Sequence, residues 1–137
     1  MRATLTDDGC TYEGDTTPES GPFTVEVRNE TPRFANFMLW ELAGGVKPEE
    51  IEALYAQARK QYEQTGALPK HLPLKRPISN SVVDPETGGA LPANEATGRY
   101  VVLCAVLPNT DTRQASASPV FFSHVYATVE LDVRPTS

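Results

Sequence analysis

Few residues in this chain could do chemistry. Two cysteines, Cys10 and Cys104, and two histidines, His71 and His124, stand far apart in 137 residues. Thiolate and imidazole are the usual donors to soft and borderline metals. A lone pair of cysteines has three outcomes: a reactive thiol, two buried free thiols, or one disulfide. Asp7, Asp8, Glu13, Asp15 and Glu19 crowd the N-terminal region. Their carboxylates could meet Ca²⁺, but no EF-hand spacing organises them, so a solvated acidic face is expected. Ser79, Ser81, Ser116, Ser118 and Ser123 offer hydroxyls without Gly-x-Ser-x-Gly. No His-Glu-x-x-His and no glycine-rich phosphate loop is present. Ser123 and His124 are neighbours, yet in a strand neighbours point to opposite faces and would not meet. The expectation is a protein that is not an enzyme.

Composition narrows the partners. Eighteen Asp and Glu outweigh twelve Lys and Arg, for a net charge of −6. An acidic surface repels phosphate, which argues against nucleic acid and anionic lipid. The apolar fraction is 39% and the charged fraction 22%, as in an ordinary globule. No apolar run approaches the ~20 residues of a membrane helix. The length suits one domain, expected to span residues 1–137. Met1 to Thr6 lacks the apolar core of a signal peptide. Either the protein is cytosolic, or a signal or lipid anchor upstream of Met1 has been removed.

The elements that must position these residues are mostly strands. Arg2 to Thr6 predicts a short strand, and Asp7-Asp8-Gly9 a turn. Phe23 to Asn29 alternates, with Phe23, Val25 and Val27 on one face. Phe34 to Ala43 reads as a central strand. Pro48 to Thr65 predicts the one helix: Pro48 suits its first position, and Glu49, Glu50 and Glu52 favour its positive end. Ile51, Leu54, Tyr55, Ala58 and Tyr62 form its apolar stripe. Residues 66–98 carry five prolines and read as Pro-rich loop, with an edge strand at most from Ile78 to Val83. Arg99 to Leu107 predicts a strand buried on both faces. Val125, Ala127, Val129, Leu131 and Val133 predict a final strand with one apolar and one wet face. The sum is an all-β sandwich with one inserted helix.

The order of motifs resembles the cupredoxin-like family, the plastocyanin/azurin Greek-key β-sandwich. The likeness rests on Cys10-x-Tyr12-x-Gly14, the strand Phe23 to Asn29, Gly98-Arg-Tyr100-Val-Val-Leu-Cys104 and the terminal strand. It covers roughly the first and last thirds of the chain and leaves the centre without a counterpart. It implies that Cys104 occupies the family's ligand-cysteine position. A blue-copper centre also needs two imidazoles, with a weak axial Met. Ala105 to Thr110 contains neither His nor Met, and no His lies near Phe34. The resemblance therefore implies a copper-free variant of the secreted or lipoprotein type, with no cofactor. The alternative is a metal-binding or electron-transfer protein with unconventional ligands such as His71, His124 and Cys104. The resemblance and the even cysteine count favour a Cys10–Cys104 disulfide, which implies an oxidising, extracytoplasmic compartment. The function expected is a binding or assembly module with a protein partner. Phe34, Phe37, Met38 and Trp40, with Tyr55 and Tyr62 of the helix stripe, are either core or the surface that meets it. Asn29-Glu30-Thr31 matches a glycosylation sequon and is uninformative by itself.

Overall fold

The computed structural model describes residues 1–42, 44–65, 74–106 and 124–135. Eight strands and one helix run in the order β1 (Arg2–Thr6), β2 (Gly9–Glu13), β3 (Gly21–Asn29), β4 (Ala35–Leu42), α1 (Pro48–Thr65), β5 (Leu74–Val83), β6 (Gly88–Glu95), β7 (Gly98–Val106) and β8 (His124–Val133). One sheet has the order β2-β1-β3-β6, the other β5-β4-β7-β8. The chain changes sheets after β3, after β5 and after β6. This is the all-β sandwich with one inserted helix that the sequence predicts, and the helix has the predicted bounds.

Alternation along β4 and β7 builds two cores at once. Ala35, Phe37 and Leu39, with Tyr100, Val102 and Cys104, face the other sheet. They pack there on Ala3, Leu5, Val25, Val27 and Leu91. Met38, Leu42, Val101, Leu103 and Ala105 face the opposite way and pack under Ile51 and Tyr55 of α1. The second sheet is thus a middle layer, which is why β7 is apolar on both faces.

Two expectations are corrected. Most of the 66–98 segment is strand, not Pro-rich loop; its first residues, 66–73, lie outside the described residues. Pro77 and Pro92 had argued against strands there. Both lie in edge strands, where a missing N–H can face outward. Pro77 also pairs with Trp40 next to a register shift that leaves Ile78 as an extra residue. The turn from β5 to β6 has Pro85 at its second position and Glu86 in the left-handed region (φ 62°). Thr87 N–H donates to Asp84 O at 3.3 Å. Where β6 then starts, a Cβ on Gly89 would lie 2.9 Å from Ser81 Oγ and 3.3 Å from Val83 Cγ2, so a side chain there would push the Ser81 hydroxyl aside.

The second correction concerns β8. Val125 and Ala127 pack toward the helix, but Leu131 and Val133 pack between the sheets. The register slips between Val101–Glu130 and Leu103–Ala127, so Val102 faces both Thr128 and Val129. This bulge inverts the alternation part-way along the strand. Thr128 Oγ1 donates to Val102 O at 2.9 Å, satisfying a carbonyl at the break.

Candidate functional site

Of the residues that could do chemistry, the two cysteines meet. Cys10 on β2 is bonded to Cys104 on β7, with Cα atoms 6.3 Å apart and a sequence separation of 94. The bond crosses from the edge of one sheet to the interior of the other. Cys104 is fully buried, while Cys10 is half-buried. Beside it lies an open cleft of about 420 Å³, lined by Cys10 and Tyr12 of β2, by Glu49 and Glu52 of α1, and by Ala127 and Val129 of β8. The Tyr12 hydroxyl donates to Asp15 O. Burial first, and then the Asp15 carboxylate, push its pKa up to about 12.

These residues do not fit a blue-copper centre. A sulfur shared in a disulfide is not a thiolate donor, so Cys104 is not available to copper in this state. Residues 105–123 contain no His and no Met. His71 and the His124 side chain lie outside the described residues. Among the described residues, no three His, Cys, Asp or Glu side chains gather as a metal site.

The aromatic cluster is mostly core. Phe37 lies between the sheets, and Met38 and Tyr55 are buried under and on the helix. Burial pushes the Tyr55 phenol up to about 12. Phe34 and Trp40 are half-buried at the margin of the helix-side core. Trp40 also lines a groove of about 290 Å³ with Met38, Pro77 and Ile78. The Tyr62 side chain lies outside the described residues.

Sequence reasoning missed the two polar groups that close the ends of the sandwich. At one end, Arg76 of β5 reaches Glu41 of β4 at 3.2 Å and Glu95 of β6 at 2.9 Å. The carboxylate side chains are only 15% and 12% exposed, against 51% for Arg76. One guanidinium fork so ties both sheets. Tyr100 OH donates to Ala96 O nearby, and its pKa is raised by burial and then by Glu41 and Glu95. At the other end Asn29 is fully buried. Its Nδ2 donates to Arg33 O at 2.7 Å and to Val83 O at 3.1 Å, and its Oδ1 accepts from Thr31 Oγ1 at 2.7 Å. The sequon asparagine is therefore a structural hub. Parity was the available signal: Asn29 continues the inward set Phe23, Val25, Val27, and Glu41 continues Ala35, Phe37, Leu39.

No family model matches the sequence, and no curated protein matches it either. Solved structures do. The chain is similar in shape to auracyanins. It is 17% identical to a dithionite-reduced auracyanin from Roseiflexus castenholzii, with 93% of each chain covered and a TM-score of 0.44. It is 16% identical to auracyanin A, a "blue" copper protein from Chloroflexus aurantiacus, covering 94% of this chain and 95% of that one, with a TM-score of 0.48. Against auracyanin B the identity is 9%, the coverage 94% and 86%, and the TM-score 0.40. Both auracyanin comparisons at 16–17% identity are likenesses of shape alone.

Proposed function

We propose that this chain is a copper-free, cupredoxin-like sandwich that works outside the cytoplasm as a non-catalytic binding or assembly module. The observation that carries the reading is the Cys10–Cys104 bond. By the sequence resemblance Cys104 stands at the ligand-cysteine position, and here it is part of a clasp between sheets. A buried structural disulfide belongs to an oxidising compartment. The protein partner is expected to meet the Phe34 and Trp40 margin, where apolar side chains keep an outward edge.

Intact mass with and without reductant, combined with thiol labelling, tests the disulfide. The expected result is no free thiol in the native protein and two after reduction. Two free thiols in air-oxidised protein would overturn both the clasp and the compartment. Copper titration is expected to give neither stoichiometric binding nor visible absorption, and either one would defeat the copper-free reading. Capture of a partner from the native cell envelope should be lost in Trp40→Glu. A strictly monomeric protein with no captured partner would count against the binding role.

A further inference from the structure

β2 is the least anchored strand of its sheet. It has one hydrogen-bonded neighbour, β1, in a hairpin that runs from Arg2–Glu13 to Thr6–Gly9. None of its five residues is fully buried, whereas β1 next to it places Ala3 and Leu5 wholly inside. Only Cys10 and Tyr12 of β2 pack against the inter-sheet core. A five-residue edge strand on a two-residue turn is marginal without further ties. Its covalent tie is the bond to Cys104, and the cleft of about 420 Å³ opens on the Cys10 side of that bond.

We propose that β2 is a redox-held flap: opening the Cys10–Cys104 disulfide frees β2 locally while the rest of the sandwich stays folded. The reductant is a dithiol, as in thioredoxin-like proteins. One of its thiolates attacks Cys10 Sγ from the cleft. The Cys10–Cys104 bond breaks, and the Cys104 sulfur leaves with the electron pair and takes up a proton. The second thiol of the reductant attacks the mixed disulfide and releases Cys10 as a thiol. Two electrons and two protons pass to the protein, and the reductant departs as its disulfide. Attack at Cys10 is favoured by access, and expulsion of a buried Cys104 thiolate slows it. The bond thus resists casual exchange and yields to a dedicated donor. Release of β2 would bare the outer edge of β1, a row of backbone groups ready to pair with another strand. This inference does not depend on the binding role proposed above.

Hydrogen exchange of the full chain, oxidised and then reduced with dithiothreitol, tests the flap. Exchange in 9–13 is expected to rise about tenfold or more on reduction, with Val25, Leu39 and Val102 still protected. Cys10→Ala should give the same pattern without reductant. A rise throughout the chain, or none in 9–13, would overturn the proposal. Trapping with glutathione followed by alkylation should place the adduct on Cys10. An adduct on Cys104, or none, would count against the cleft as the point of attack.

Discussion

Glu52 Oε1 accepts the backbone N–H of Ala127 at 2.7 Å, so a helix side chain closes part of the open edge of β8. The far part of that edge is closed by main chain: Asp132 N–H donates to Thr16 O at 2.8 Å and Arg134 N–H to Pro18 O at 2.9 Å. Between the two closures Val129 is 47% exposed. Glu52→Ala strips one closure and leaves a part-buried donor unpaired. It is expected to cost about 1–2 kcal/mol in urea unfolding, with Glu52→Gln recovering most of the loss.

Asn29→Ala removes the hub at one end of the sandwich. The carbonyls of Arg33, Val83 and Asp84 lose the Asn29 donor and the Thr31 N–H loses its acceptor, while Thr31 Oγ1 keeps Arg33 O as a partner. The expected loss is roughly 2–4 kcal/mol in denaturant titration, because several buried groups are orphaned together. Thr31→Val removes only the hydroxyl and should cost less.

Alkaline pH should unfold the protein through Tyr55. Its folded pKa is pushed up to about 12 by burial, from an ordinary value near 10. Between those values the unfolded chain has lost the proton and the folded one keeps it. Stability is then unaffected below pH 10 and falls as pH rises toward 12. The slope from this residue is about 1.4 kcal/mol per pH unit. Tyr55→Phe should flatten the fall in thermal melts between pH 10 and 12 and change little at pH 7.

Glu86 holds a left-handed backbone conformation without being glycine. Such a position costs an L-residue about 1 kcal/mol. Glu86→Gly is expected to stabilise by roughly 0.5–1 kcal/mol, read as a rise in Tm. Pro85→Ala should do the reverse, since proline pre-sets the turn.

How much was legible follows from which residues repeat a pattern. β3, β4 and β7 announce themselves by alternation or by apolar runs, and α1 by Pro48 and its stripe. The placement of Cys104 was readable through the resemblance. β5 and β6 were obscured by Pro77 and Pro92, because a proline rule written for central strands says nothing about edges. Arg76, Glu41 and Glu95 meet only through the packing of two sheets, and no local spacing encodes that. The fate of the aromatic cluster was equally undetermined, since Phe37 and Trp40 differ only in which face of β4 they take.

The extra residue in β8 has a consequence for how this sequence can vary. It acts as a frame marker. Upstream of it, Val125 and Ala127 are spelled for the helix; downstream, Leu131 and Val133 are spelled for the gap between the sheets. Deleting Thr128 or Val129 would remove the bulge and leave a regular strand in which Leu131 still opposes Tyr100 and Glu130 still opposes Val101. The strand can therefore lose that one residue and keep its faces, whereas a second loss would turn half of it over.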